Sequence, residues 1–250
     1  MPGITGPGIK GSGIIGSGIK GAGIIGGGGG GGGSDPFYAQ VRALLHMDGA
    51  DGSTVYIDEK GHNFANTGAG PTLSTSVKKF GTASFHQPES SNFILSDLYT
   101  EFTPPTQYTC EMWVYFEPPP QTVADTRTFA ILQTDGGNKQ PFQINLKTAT
   151  SLLVVGLWGG PVINGVIPLA LSTWHHIALT RNSSNLVTLW VNGVADGSST
   201  DATIFTGTGR FLIGNGAQPM RAFVDEFRFT SGVCRYTAPF IPPTAPFPNS

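Results

Sequence analysis

The sequence STWHHIALTRNSSNLVTLWVNGV, residues 172–194, decides the fold of this chain. Two runs of alternating apolar side chains flank a short polar turn, and a period of two is that of a β-strand. The first run places Ile177 and Leu179 on one face and Trp174 on the other. The second run ends in Asn-Gly at 192–193, which tolerates the positive φ angles of a tight reversal. The segment therefore predicts a β-hairpin.

Strand-like segments recur along most of the chain at a spacing of about 8–12 residues, which is typical of a β-sandwich. No amphipathic helix stands out between them. The predicted strands are 41–47, 54–57, 62–66, 80–86, 92–96, 107–117, 127–133, 141–147, 151–158, 162–167, 173–181, 186–192, 203–205, 210–214 and 221–230. The pattern predicts an all-β fold.

The hairpin also resembles the W-H-H/Y-hydrophobic-A … L-x-L-x-V-N-G hairpin of laminin-G-like, concanavalin A-like jelly rolls. Three further segments, 44–53, 107–118 and 211–237, fit that family in the same order. The resemblance covers residues 41–237 and implies a jelly-roll sandwich whose first and last strands pair. It is more specific for fold than for function, because one scaffold carries many unrelated tasks.

Composition excludes several classes of function. Charged residues make up 12% of the 250 residues and the formal net charge is −2, whereas nucleic-acid binding needs clustered Lys and Arg. No stretch approaches the ~20 apolar residues of a membrane span. The two cysteines, Cys110 and Cys234, form no CxxC pair, so we expect reduced thiols rather than a disulfide framework.

The N-terminal 33 residues are rich in glycine. Residues 3–26 form a repeat with a period of five, in which Ile9, Ile14, Ile19 and Ile24 share one phase, and a run of glycines extends to residue 33. Residues 1–4 lack the basic region of a secretion signal, so we expect synthesis in a cytoplasm. Alone in water the repeat is expected to be disordered, because glycine buries too little surface to offset the conformational entropy that ordering would remove. It is either a flexible linker or, as the strict isoleucine phase favours, an assembly arm.

The remaining chain divides into a jelly-roll domain, residues 34–237, and a proline-rich tail, residues 238–250, expected to lie extended over the surface. The ending RYTAPFIPPTAPFP, residues 235–248, resembles the endings of laminin-G-like modules in bacteriophage tail and virion proteins.

Acidic residues at both ends of the domain suggest a structural calcium site. Asp48 and Asp51 lie in a D-x-x-D-G turn after the first strand, and Asp225 lies in the last long strand. Calcium takes six to eight oxygens from carboxylates and turn carbonyls. In the family that the chain resembles, the first-strand and late aspartates often carry such an ion. Alternatively, Asp48 and Asp51 only cap a turn and Asp225 accepts backbone N–H groups.

Sugar binding would need exposed aromatic and amide side chains in loops at one end of the sandwich. Three tryptophans in strongly alternating strands are instead predicted to be core: Trp113, Trp174 and Trp190. The predicted carbohydrate-binding residues are Trp158, Asp135, Asn138 and Asn215.

The carboxylates of the predicted strands argue against glycoside hydrolysis, which needs two of them ~5–9 Å apart across the cleaved bond. Glu111 and Glu117 are six residues apart, too far along a strand at ~3.3 Å per residue. Asp225 and Glu226 are adjacent, so strand alternation turns them to opposite faces. No G-x-S-x-G nucleophile pattern occurs. We therefore expect no catalytic residues.

The sequence favours a non-enzymatic structural protein of a bacteriophage virion: a decoration, tail or fibre component made in the host cytoplasm. Its expected partners are other virion proteins bound through the arm, further copies of itself and a host-surface glycan, with no nucleic acid and no membrane insertion. One alternative is a bacterial carbohydrate-binding or adhesion module. A glycan-cleaving enzyme is a second, disfavoured alternative.

Overall fold

The computed structural model describes residues 34–88, 90–118, 126–134, 139–215, 217 and 221–250. The arm isoleucines Ile9, Ile14, Ile19 and Ile24 therefore lie outside the described residues. The same holds for Asp135 and Asn138. No helix in the described ranges is long and apolar enough to cross a membrane.

Fifteen strands and two short 3-10 helices are described. The helices are Tyr38–Gln40 and Thr100–Phe102. The strands are β1 Val41–Leu45, β2 Phe64–Asn66, β3 Thr72–Ser74, β4 Ser84–Gln87, β5 Ile94–Ser96, β6 Tyr108–Phe116, β7 Thr126–Thr134, β8 Lys139–Lys147, β9 Leu152–Leu157, β10 Val162–Asn164, β11 Trp174–Arg181, β12 Leu186–Val191, β13 Val194–Thr200, β14 Gly209–Ile213 and β15 Ala222–Ser231.

The strands form two antiparallel sheets. The front sheet has the order β13-β12-β11-β6-β15-β4-β3, with β1 also paired to β15, and the back sheet has the order β10-β9-β8-β7-β14-β5-β2. Alternate residues of both sheets point inward, and their buried apolar side chains form one cluster, to which the front sheet gives Ile177 and Leu179 and the back sheet gives Phe142 and Ile144. The predicted sandwich is confirmed.

The hairpin that decided the fold is present. Strands β11 and β12 pair antiparallel, with Ile177 opposite Val191 and Leu179 opposite Leu189. Asn192 and Gly193 have φ angles of 50° and 80°, as their reversal requires. The pairing of the first and last strands is confirmed as well, since β1 lies antiparallel to β15.

Two predicted strands do not form, and two strands were not predicted. Residues 203–205 have no strand structure, and residues 54–57 contribute only a single bridge at Tyr56, because Val55 and Ile57 point into solvent. Strands β3 and β13 form instead at the two ends of the front sheet. Both are largely polar, and backbone pairing with one neighbour rather than apolar alternation holds them.

None of the three tryptophans predicted to be core lies in the core cluster between the sheets. Trp113 and Trp190 are buried, yet they lie outside the cluster between the sheets, on the outer face of the front sheet. The Nζ of Lys79 lies 4.0 Å from the centroid of a Trp113 ring, and the ring of Phe240 packs 5.7 Å from Trp190. Trp174 is only half-buried.

The C-terminal segment, residues 236–250, runs without secondary structure across the outer face of the front sheet. At one end Phe240 N donates to Gly193 O at 3.0 Å, beside the turn between β12 and β13. At the other end Phe247 is buried against Leu44 of β1, and Asn249 Oδ1 lies 2.7 Å from His46 Nε2. The segment thus covers one part of this face and leaves another part open.

Candidate functional site

An aromatic row crosses the open part of the front sheet. Its members are register partners on four adjacent strands: Trp174 of β11 faces Tyr115 of β6, which faces Phe223 of β15, which faces His86 of β4. Successive ring centroids are 5.6, 5.8 and 4.3 Å apart. All four residues alternate with inward-facing neighbours, so they lie on the outer face. Phe223 is buried between its neighbours, while the other three rings are half-buried.

A polar triad of His86, Glu117 and Arg221 lies beside the row, near its His86 end. Glu117 Oε2 lies 3.1 Å from His86 Nε2 and accepts a hydrogen bond from Arg221 Nε, also at 3.1 Å. Glu117 N donates to Arg221 O at 3.1 Å, just beyond the paired residues of β6 and β15. The Glu117 side chain is 18% exposed and the Arg221 side chain 39% exposed. The arrangement offers an apolar surface with charged groups beside it, which suits a ligand with apolar faces and polar edges.

A buried charge network lies beneath the C-terminal segment on the same sheet. Glu111 Oε1 accepts hydrogen bonds from Arg228 Nε and Nη2 at 2.9 and 2.7 Å, and Glu111 Oε2 accepts one from Tyr236 at 2.7 Å. Asp35 pairs with both Arg228 and Arg235. Burial alone would raise the pKa of Glu111, but Arg228, His176 and Arg235 together outweigh it and hold this pKa well below its usual range. Glu111 is fully buried, so this network holds the segment to the sheet.

Two of the three predicted calcium ligands hold the same loop: Asp225 accepts the backbone N–H groups of Lys79 and Phe80, and Asp48 accepts those of Thr82 and Ala83. Asp51 instead accepts hydrogen bonds from the backbone and side chain of Thr75. Within the described ranges, no three His, Cys, Asp or Glu side chains group in a way that could hold a metal ion.

Asp225 has an unusual environment for a carboxylate. One oxygen, Oδ2, accepts the backbone N–H groups of Lys79 and Phe80 at 2.7 and 3.1 Å. The other, Oδ1, is buried and has no hydrogen-bond partner among the described residues. Burial raises the pKa of Asp225 to about 7. A cation at Oδ1 would stabilise the ionised form.

The predicted divergence of Asp225 and Glu226 is wrong. Glu226 has a φ of 53°, and the register of β15 shifts between Asp225 and Arg228. Two residues rather than one therefore separate the core residues Val224 and Phe227. This β-bulge interrupts the alternation on which the prediction rested. Glu226 is nevertheless engaged elsewhere, because its carboxylate binds His46 and the backbone N–H of Phe247.

The two predicted sugar-binding residues that the structure describes, Trp158 and Asn215, follow strands of the back sheet rather than strands of the aromatic row. Trp158 follows β9 of the back sheet and is 41% exposed. Asn215 follows β14, and its side-chain oxygen accepts the backbone N–H of Ala217. Trp158 and Asn215 thus belong to the back-sheet side of the sandwich, and their predicted role in binding stays a prediction.

The row was missed from sequence because its members are distant along the chain and each strand contributes a single ring. One signal was available: alternation in β11 puts Trp174 opposite the face of Ile177 and Leu179, which is the core face. Applied to β6, the same rule separates Tyr115 from Val114 and Phe116.

Comparison with known proteins agrees with the fold. The Laminin_G_3 profile, described as Concanavalin A-like lectin/glucanases superfamily, matches residues 88–235, more than half of the chain. No curated protein sequence matches the chain.

Several solved structures share the fold at low sequence identity. The receptor binding domain of botulinum neurotoxin D has a TM-score of 0.58 at 13% identity, covering 78% of this chain and 50% of that one. The binding domain of Paraclostridial Mosquitocidal Protein 1 has a TM-score of 0.58 at 16% identity, covering 80% and 51%. The chain thus spans about half the length of these toxin chains.

Domain 4 of AbnA, a GH43 extracellular arabinanase from Geobacillus stearothermophilus, was solved in complex with arabinotriose. It has a TM-score of 0.55 at 20% identity, and the match covers 78% of this chain and 94% of that domain. At such identities the likeness concerns the fold alone. Together with the profile match, the jelly-roll architecture shows that this chain belongs to the Concanavalin A-like lectin/glucanases superfamily.

Proposed function

We propose that this domain binds glycans on the aromatic row of the front sheet and does not cleave them. The row itself carries the proposal, because aromatic rings pack against the apolar faces of sugar rings while the triad supplies polar partners for hydroxyl groups. It crosses four strands at ~4.8 Å per strand, so it spans ~14 Å and suits an oligosaccharide better than a single sugar. The similar structures named as receptor-binding, binding and arabinotriose-bound domains support this proposal.

The carboxylates of Glu111, on β6, and of Glu117, just after it, support binding without cleavage. Glu111 is fully buried and engaged by Arg228 and Tyr236, so it is not accessible to a ligand. Glu117 is the accessible carboxylate, and its Oε2 is already held by His86 and Arg221. Glycoside hydrolysis needs two carboxyl groups facing the same bond.

Tyr115→Ala should weaken glycan binding about tenfold or more, because it removes the ring at the centre of the row. A glycan array with the full chain identifies a ligand, and calorimetry measures its affinity for wild type and variant. Trp158→Ala is the matched control, since it removes an exposed ring from the back-sheet side. Loss of binding in Trp158→Ala but not in Tyr115→Ala would move the site to the loop after β9. Release of reducing ends by the wild type would contradict the absence of cleavage.

We also propose a structural calcium ion held by Asp48 and Asp225, which would supply positive charge to the buried Oδ1 of Asp225. Chelation should then lower the melting temperature, by the equivalent of about 2.7 kcal/mol if free calcium was 100 times Kd. Asp225→Asn should abolish the response to chelator, whereas Asp51→Asn, whose carboxylate binds Thr75, should keep it. Identical melting curves of the wild type with and without chelator would disprove the site.

The finer proposal is that the protein is a bacteriophage virion component, displayed as a decoration, tail or fibre protein in several copies. The phased isoleucines of residues 1–33 and the ending 235–248 support it. Linked copies would raise the strength of weak glycan contacts through effective concentration.

A chain lacking residues 1–33 should fold and bind glycan normally, since the core and the aromatic row lie within residues 34–250, yet it should fail to enter particles. Replacing Ile9, Ile14, Ile19 and Ile24 by serine should have the same effect on incorporation, whereas a simple spacer would tolerate it. Full incorporation of the shortened chain, measured on purified particles, would exclude an assembly arm.

A further inference from the structure

Arg221 has the geometry of an anion receptor beside the aromatic row, two residues before Phe223. Its Nε donates to Glu117 Oε2, and its backbone oxygen accepts the N–H of the same residue, so both ends of Arg221 are fixed on Glu117. Among the described residues, no acceptor takes the hydrogen bonds of its two Nη atoms. The guanidinium thus keeps two parallel donors available, on a side chain that is 39% exposed.

The charged groups around Arg221 are compatible with binding of a ligand anion. Glu117 supplies one negative charge, and the same oxygen, Oε2, is shared between Arg221 and His86. A second carboxylate would therefore meet the Nη donors of Arg221 beside one resident carboxylate whose Oε2 is already engaged. A planar carboxylate matches the two parallel Nη donors of a guanidinium, which is a stronger and more directional contact than a hydroxyl can make.

We propose that Arg221 binds the carboxylate of an acidic sugar, such as a uronic or sialic acid, while neighbouring sugar units lie on Tyr115 and Trp174. This inference rests on the proposed glycan binding and names its ligand class. Arg221 is then the specificity-determining residue, and the aromatic row supplies the part of the affinity that neutral and acidic glycans share.

The test uses the full chain and three acidic probes: an oligogalacturonate, a hyaluronan oligosaccharide and sialyllactose. Each is compared with its own carboxyl-reduced counterpart, which keeps the ring and loses the charge. We expect at least one acidic probe to bind about tenfold or more tightly than its reduced form. Arg221→Gln should remove that preference and leave the affinity for the reduced form within about twofold of the wild-type value. Arg221→Lys keeps the charge but not the two parallel Nη donors, so its preference should be intermediate.

Arg210→Gln is the matched control. Arg210 lies on β14 of the back sheet, and its Nε is likewise held by one side chain, Gln133 Oε1, at 2.9 Å. This variant should keep the preference for the acidic probe. Melting curves of all variants verify that the fold is intact.

The outcomes separate this inference from the proposed function. Equal binding of acidic and reduced probes, or binding of neutral array glycans alone, would overturn the role of Arg221 and leave glycan binding in place. A preference for acidic probes that survives Arg221→Gln would also overturn it. Absence of binding to every acidic, reduced and array glycan would overturn both.

Discussion

Glu111→Gln should lower the free energy of unfolding by about 3–5 kcal/mol, the usual cost of breaking a buried ion pair by removing one partner. The substitution keeps the volume of the side chain but presents an amide to Arg228, which is only 5% exposed. Asp35 would then remain as the one carboxylate shared by Arg228 and Arg235. Urea unfolding at neutral pH measures the change.

Glu117→Gln is the control, because Glu117 directly follows β6, the strand of Glu111. Glu117 also pairs with an arginine, but that pair is partly exposed, so its loss should cost no more than about 1 kcal/mol. Equal destabilisation by the two substitutions would show that the network beneath the C-terminal segment contributes nothing beyond a surface ion pair.

The cost of Glu111→Gln should also depend on pH. The pKa of Glu111 is lower in the folded chain than its ordinary value of 4.5, so the folded state favours the ionised form. The resulting stability is fully present above that ordinary value and is lost as the pH falls toward the folded pKa. The difference in unfolding free energy between wild type and Glu111→Gln should therefore shrink in acid. A difference that stays constant down to about pH 3 would contradict this assignment.

Local sequence patterns were sufficient to predict most of the fold. The hairpin from 172 to 194 carries its own signal, because alternation and turn residues lie next to each other in the sequence. The edge strand β13, with the sequence VADGSST, has no such signal, since few of its side chains are buried and backbone pairing with β12 holds it. The bulge at Glu226 is equally hard to predict from the sequence, because no glycine occupies the position with a positive φ.

The candidate site was less accessible to prediction because it is made by the register of four strands. His86, Tyr115, Trp174 and Phe223 come from four separate parts of the chain and meet only when β4, β15, β6 and β11 pair in this order. One outward-facing ring in one strand does not by itself indicate a binding site, since solvent-facing aromatics also occur singly. Loops are the usual place for binding residues, which is why Trp158 was favoured over Trp174.

The C-terminal segment adds a second constraint on the site, because it covers the outer face around Trp190 and Glu111 and leaves the aromatic row open. Its attachment depends on a close approach at Gly193. A Cβ atom added there would lie 1.8 Å from Phe240 O and 2.8 Å from Phe240 C. The φ of Gly193, 80°, also disfavours any other residue.

Gly193→Ala should therefore destabilise the protein by about 2–5 kcal/mol, from about 1–2 kcal/mol of left-handed backbone strain and about 1–3 kcal/mol of overpacking. Gly232→Ala separates the two contributions, because Gly232 has nearly the same φ, 79°, and no atom within 4 Å of the added Cβ. It should show the backbone cost alone. Urea unfolding gives both free energies. Limited proteolysis should cut residues 236–250 faster in Gly193→Ala, since the contact of Phe240 with Trp190 would be disturbed. Equal costs at the two glycines would mean that the segment moves aside freely, and that the boundary between the covered and open parts of the front sheet is not fixed by Gly193.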